Sequence, residues 1–220
     1  MFLFEPTYRP QPPVLAGHRV YLRPPLMADY RAWSALRGES RAFLEPWEPL
    51  WGDNALSRGT FRGRVNRVVR EWNSDLGYSF HIFATGREEL PRDTLLGGVN
   101  LNNVRRLSAQ CSNLGYWMGE PYAGLGLMRA ALQILLPFAF AAPQDDHSGL
   151  GLHRIDAACI PDNTPSRQLL RRCGFREIGL APAYLRINGD WRDHICHQLL
   201  AEDFARSAPQ ASEHAVQWRG

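Results

Sequence analysis

The sequence predicts a single domain of the mixed α/β class, and three observations carry that expectation. Short segments of alternating polarity are interleaved with segments of helical periodicity along the 220 residues. Between Leu114 and Leu132 a strand-like run, the turn Gly124-Leu-Gly126 and an apolar helical segment follow one another directly. Some forty residues later Ile155, Ala157 and Cys159 alternate with Asp156, Ala158 and Ile160, again with a helical segment behind them. A chain of this length can bury one full core.

Taken in order, residues 1–16 are proline-rich and read as an extended N-terminal arm, with the domain proper over 17–204. Arg19 to Arg23 alternates as a first strand, and Leu26 to Leu36 reads as a helix begun near Asp29. Phe43 to Asp53, rich in aromatics and proline, reads as a structured loop. Thr60 to Trp72 has helical periodicity. Tyr78 to Ala84 and Leu95 to Asn102 are strands joined by the polar turn Gly86 to Asp93. Leu107 to Met118 is the next strand, and a helix spans Leu125 to Ala141, with Pro137 expected to bend or end it. Residues 143–151 form a loop. After the strand that Pro161 ends, Thr164 is the expected N-cap of a helix with Pro165 first and Gly174 at C′. Leu169, Leu170 and Cys173 share its apolar face. Tyr184 to Ile187 and Trp191 to Leu199 flank Asn188-Gly189, a two-residue hairpin turn. The Ser/Ala/Pro/Gln-rich tail, 205–220, reads as disordered.

Composition excludes several classes. Hydrophobic content of 45% and charge of 21% suit a soluble enzyme. No apolar run reaches the length of a membrane span, and Met1-Phe-Leu-Phe-Glu-Pro6 lacks the basic flank of a signal peptide. Cys111, Cys159, Cys173 and Cys196 form no Cys-x-x-Cys pair, so reduced, packed thiols and a cytoplasmic location are expected. The net charge is +3, and every basic side chain is arginine, which reads as a coding bias. Arg105-Arg106 and Arg171-Arg172 are isolated pairs, so a solvated surface is expected rather than direct nucleic-acid binding. His194-Ile-Cys196-His197 places its histidines on opposite faces of a strand, so no metal is expected.

Glycines at a strand-to-helix junction let backbone amides converge on a ligand at a helix N-terminus, where phosphate is favoured. No Gly-Lys-Ser/Thr follows, which excludes a P-loop. Gly149-Leu-Gly-Leu152 copies Gly124-Leu-Gly-Leu127, but a strand follows it, so it lacks the helix dipole.

Gly115-Tyr-Trp-Met to Leu132, together with His153 to Phe175, resembles the GCN5-related N-acetyltransferase (GNAT) superfamily. Phe43-Leu-Glu-Pro-Trp-Glu-Pro49 and Tyr184-Leu-Arg-Ile-Asn-Gly-Asp-Trp-Arg-Asp-His194 are similar to its RimJ branch, the ribosomal-protein N-terminal alanine acetyltransferases. The likeness spans about Gly17 to Phe204. It implies a seven-stranded, strongly twisted sheet splayed between its fourth and fifth strands, which end near Met118 and Ile160. Acetyl-CoA would slot into the splay as co-substrate, with the acceptor entering opposite.

By the same resemblance, amides near Trp117 and Met118 would meet the thioester carbonyl, and those of Gly124, Leu125, Gly126 and Leu127 the pyrophosphate. Asn163 would hold pantetheine or cap the loop. Ser166 would contact the cofactor and protonate the departing thiolate. The family's tyrosine seven residues after the motif asparagine is Leu170 here, its glutamate two residues before Gly-Tyr is Asn113, and the Gln or Arg opening its glycine turn is Pro121. Glu48 and Asp193 are candidate bases, with Glu45, Asp190 and His194 beside them, and both could instead anchor loops. Phe43, Glu45, Trp47 and Glu48 are candidate acceptor contacts.

The implied activity is acetyl transfer to a protein N-terminal α-amine, a ribosomal protein being the candidate partner, by a monomer or homodimer. Alternatives are acetylation of a small amine (antibiotic or polyamine), a non-catalytic acyl-CoA-binding sensor and a ribosome assembly factor. An α-amine has a pKa near 8 against about 10.4 for lysine, so lack of an obvious strong base fits the N-terminal acceptor.

Overall fold

The computed structural model describes residues 11–87, 89–143 and 149–207. Most of the expected arm and tail, and the centre of the loop at 143–151, lie outside the described residues. The chain runs β1 (Leu15–Ala16), β2 (Val20–Arg23), a 3-10 turn (Met27–Asp29), α1 (Tyr30–Glu39), α2 (Arg41–Leu44) and a second 3-10 turn (Glu45–Trp47). It continues through α3 (Arg58–Asn73), β3 (Gly77–Ala84), β4 (Leu95–Arg105), β5 (Cys111–Met118), a third 3-10 turn (Glu120–Tyr122) and α4 (Leu127–Phe140). The last elements are β6 (Arg154–Cys159), α5 (Thr164–Arg172), β7 (Arg176–Ile187), β8 (Asp190–Leu200) and α6 (Ala201–Ser207).

The strands form one sheet in the order β1-β2-β3-β4-β5-β6-β8-β7. All neighbours are antiparallel except β5 and β6. Neighbouring residues of a strand point to opposite faces, so Phe80 and His81 label the two sides of β3. Phe138 of α4 lies 5.9 Å from the Phe80 ring, while Phe61 of α3 lies 4.8 Å from Trp33 of α1 and 6.3 Å from His81. Helix α4 therefore covers one face, and α1 with the start of α3 covers the other. Register carries these faces across the sheet: Phe80 pairs Val99, which pairs Tyr116, on the α4 side. Asn102 pairs Asn113, which pairs Asp156, on the α1 side.

Strands β5 and β6 pair only from Cys111–Arg154 to Leu114–Ala157. Beyond that point β5 stays with β4 as far as Met118, while β6 stays with β8 as far as Cys159. The sheet opens there, which is the splay expected between the strands ending near Met118 and Ile160.

The structure corrects the sequence reading at several points, among them that β7 begins at Arg176 rather than Tyr184. Among the described residues the sheet has eight strands rather than seven, because Leu15–Ala16, within the expected arm, pairs with Tyr21–Leu22 at the edge. Strand β5 begins at Cys111, since Leu107 and Gln110 take positive φ (54° and 41°) in the turn before it. Phe43 to Asp53 opens with helical turns rather than plain loop. The N-cap of α5 is Asn163, whose side chain accepts from the Ser166 amide (3.1 Å), so Thr164 is the first helical residue and Ser166 the third. Helix α4 ends one turn after Pro137, and Asn188 and Gly189 both take the positive φ of the hairpin turn. Helix α6 carries ordered chain to Ser207, past the expected domain end at 204.

Candidate active site

Both glycines of the turn use the freedom that only glycine has. Gly124 (φ 74°) and Gly126 (φ 75°) are left-handed, and Gly126 is the N-cap of α4. The helical ladder starts with the Ala130 amide donating to Gly126 O, so the amides of Leu127, Met128 and Arg129 close no helical bond and point along the positive end of the helix. A Cβ at Gly124 would meet no atom within 4 Å, so the space beside the turn is open. Arg19, just before β2, donates to Leu125 O (3.0 Å) and sets a guanidinium against the turn. Sequence reasoning missed Arg19, which lies 106 residues away in the chain.

The splay has its own backbone logic. Gly119 donates to Leu96 O (2.9 Å), so by alternation the peptide groups of Gly119 and Trp117 face β4. Those of Met118 and Tyr116 face the gap left by β6. Of the two residues expected to meet the thioester, Met118 aims its amide into the splay and Trp117 does not.

Side chains close over the same opening. Tyr116 Oη and Ser166 Oγ are 2.7 Å apart, joining β5 to the first turn of α5 across the gap. Cys159 at the end of β6 lines the same opening. Burial raises the Tyr116 phenol far above its usual range, against the opposing hydrogen bond from Ser166, so it remains a proton carrier at neutral pH. Burial likewise pushes up the Cys159 thiol. Leu170, at the position where relatives carry tyrosine, is fully buried; the phenol near Ser166 comes from β5 instead.

A cavity of about 650 Å³ extends from this pair along β5 and β6. Its wall includes Trp47, Asn102, Asn113, Tyr184 and His194, with Asn163 and Ser166 at the splay. The buried His194 brings its Nδ1 within 2.9 Å of Arg192 O. A carbonyl only accepts, so Nδ1 is the donor in this contact. Asp156, the only carboxylate among the described residues of the wall, is paired with Arg154 at 2.6 Å, and Arg105 and Arg186 also line it. Among the described residues no group of three or more His, Cys, Asp or Glu is placed to hold a metal, and no helix is long and apolar enough to cross a membrane.

Several expected site residues lie outside the cavity wall. Glu48 accepts from Arg37 Nη1 (3.1 Å) and Nη2 with its two oxygens, and from Trp51 Nε1 (2.9 Å). Arg37 is buried, its guanidinium 4.4 Å from the Trp51 ring and 4.9 Å from the Trp117 ring. Asn188 of the β7–β8 hairpin donates to Glu48 O (2.8 Å). The Glu48 carboxylate is thus occupied as the anchor of a loop. Asp193 accepts from the Ala183 amide (2.8 Å) in the irregular part of the β7–β8 ladder, and Glu45 accepts from Arg41 (2.7 Å). Phe43 is exposed on the helical turn before Trp47.

The family model described as "Acetyltransferase (GNAT) domain" matches residues 19–176. The chain is 32% identical over 178 residues to the [ribosomal protein uS5]-alanine N-acetyltransferase of Escherichia coli, covering 81% of this chain and 82% of that one. It is 30% identical over 190 residues to the probable N-acetyltransferase YjcK of Bacillus subtilis, covering 86% and 98%. Mycobacterium smegmatis RimJ, solved in complex with CoA-disulfide, superposes with a TM-score of 0.75 at 32% identity, covering 90% of this chain and 88% of that one.

Proposed function

The chain belongs to the GNAT acetyltransferases and is an N-acetyltransferase, and we propose that it transfers acetyl from acetyl-CoA to the N-terminal α-amine of a protein. The residues of the turn and splay suit that co-substrate. The amides of Leu127, Met128 and Arg129, with the Arg19 guanidinium, would hold the pyrophosphate. The amide of Met118 would face the thioester oxygen, and Asn163 with the first turn of α5 would flank the pantetheine arm. When bound, the co-substrate supplies an activated acetyl group and a thiolate leaving group.

The remaining roles follow from where protons must go. Ser166, backed by the Tyr116 hydroxyl, returns a proton to the leaving sulfur. His194, in the cavity wall, takes the proton of the amine, directly or through one water. Glu48 and Asp193 hold the loop and hairpin that flank the groove.

The observation that carries the choice of acceptor is the charge of the cavity. A site for a cationic polyamine or aminoglycoside needs unpaired carboxylates, whereas here the one carboxylate is spent on Arg154. A lining richer in arginine than in carboxylate disfavours an ammonium ion and favours the neutral amine that must attack. The relative that modifies an alanine of ribosomal protein uS5 makes a ribosomal protein beginning with alanine the first acceptor to try.

The test is CoA release from acetyl-CoA with peptides starting Ala, Ser or Met, beside an internal-lysine peptide and small amines. Turnover confined to N-terminal amines is the expected result. Turnover of small amines alone would overturn the reading.

A further inference from the structure

The acceptor groove ends in arginines. Arg105 of β4, Cys111 of β5 and Arg154 of β6 share one register row, so Arg105 and Arg154 project on the same face about 10 Å apart, two strand spacings. That face is the α1 side, where Asn102, Asn113 and Asp156 form the next row. A bulge places Arg105 there: the β4–β5 register shifts between Asn102 and Arg105, with Asn103 at φ 52°. Both arginines line the cavity that begins at Tyr116 and Ser166. Asp156 pairs with Arg154, and Arg105 has no carboxylate partner among the described residues. The row therefore carries one uncompensated positive charge, with Arg186 of β7 adding another to the wall.

Distance along the strand converts this charge into a substrate rule. Gly115 at the splay and Cys111 lie four residues apart on the same face of β5, about 13 Å at the usual rise of a strand. An extended peptide has nearly the same rise, so with its α-amine at the splay beside Gly115 its residues four to six reach the Arg105–Arg154 row. We propose that the enzyme selects protein N-termini bearing an acidic side chain at about the fourth to sixth residue, read by Arg105 with Arg154 behind it; the inference rests on the N-terminal reading above. The asparagines between the catalytic end and the arginine row offer amide donors and acceptors to the peptide backbone without demanding a sequence. Selection then falls to the far end, where charge is unbalanced.

The experiment compares kcat/KM for three peptides that begin with Ala and differ only at residues four to six, as Glu, Gln or Arg. Glu should exceed Gln by about 5-fold, the size of a partly exposed ion pair, and Arg should fall below Gln. Arg105→Glu should reverse the order of the Glu and Arg peptides, and the milder Arg105→Gln should shrink the spread. Raising the salt should also narrow it. Equal kcat/KM for the three peptides, or an order unchanged in both variants, overturns the assignment. Turnover of small amines with no peptide acetylated overturns the N-terminal reading itself, and this inference with it.

Discussion

Glu48→Gln separates two roles that the sequence left together. As a base, Glu48 would have to give up its contacts with Arg37 and Trp51; as an anchor, it must keep them. Removing one partner of a buried ion pair typically costs about 3–5 kcal/mol, because the other charge is left unpaired. Arg37 has only 4% of its side chain exposed, but Glu48 retains 21%, and glutamine still offers one acceptor to the guanidinium. The cost should therefore fall to about 2–3 kcal/mol. For a domain of this size that lowers Tm by about 5–10 °C. The loop bearing Trp47 and the hairpin held through Asn188 should loosen together, so KM for the peptide rises more than kcat falls. Thermal unfolding and peptide kinetics on one preparation decide the matter. A wild-type Tm with kcat down a hundredfold would refute the anchor and restore Glu48 as a base.

Ser166→Ala should lower kcat at least a hundredfold with little change in acetyl-CoA affinity, and Tyr116→Phe, losing one hydrogen bond, about 5-fold; unchanged turnover in Ser166→Ala would remove the acid role. Gly126→Asp forces a side chain and a negative charge into a left-handed position at the phosphate-facing turn, so calorimetry should show no CoA binding while circular dichroism shows the fold; retained binding would sink the cradle. His194→Gln should cost about a hundredfold in kcat with the Tm little changed, and an unchanged kcat would leave the proton to water. Stability should also depend on pH through His81, which burial keeps below its usual pKa despite the Asp29 carboxylate 3.0 Å away. A base with a depressed folded pKa stabilises above its unfolded value, about 6.5, and loses that contribution as pH falls, at up to about 1.4 kcal/mol per unit. Urea unfolding between pH 7.5 and 5.5 should show this slope, and His81→Asn should flatten it.

How much of this was legible in the sequence follows from what each feature depends on. The glycine turn could be read because glycine at both 124 and 126 announces a left-handed backbone, and the structure uses both. The hairpin at Asn188-Gly189 was legible for the same reason. The pair Tyr116–Ser166 was not: fifty residues separate the two, and they meet only because β5 and β6 part after Leu114 and Ala157. Asn163 and Thr164 are both good N-caps, and only the geometry at Ser166 decides between them. The two residues of β1 are too few for periodicity to register. Arg37 was hidden in another way. A charged residue on a helix reads as solvated, yet here Trp51 and Trp117 stack on its guanidinium and Glu48 neutralises it.

The departures from the family pattern become intelligible once the amine itself is counted. At pH 7.4 an α-amine with a pKa near 8 is about 20% neutral, against about 0.1% for a lysine at 10.4. That factor of about 200 is worth about 3 kcal/mol before any protein group acts. Arginines in the wall push in the same direction, since a positive surround makes the ammonium form costlier still. An enzyme that admits only α-amines has less need of a carboxylate at the position of Asn113, where it would pull protons onto the acceptor it must deprotonate. An uncharged amide there and an imidazole at His194 suit that task. On the N-terminal reading the missing glutamate and the missing tyrosine are therefore separate matters: the first would follow from the acidity of the acceptor, and the second would be answered by the Tyr116 hydroxyl, which reaches Ser166 from the neighbouring strand.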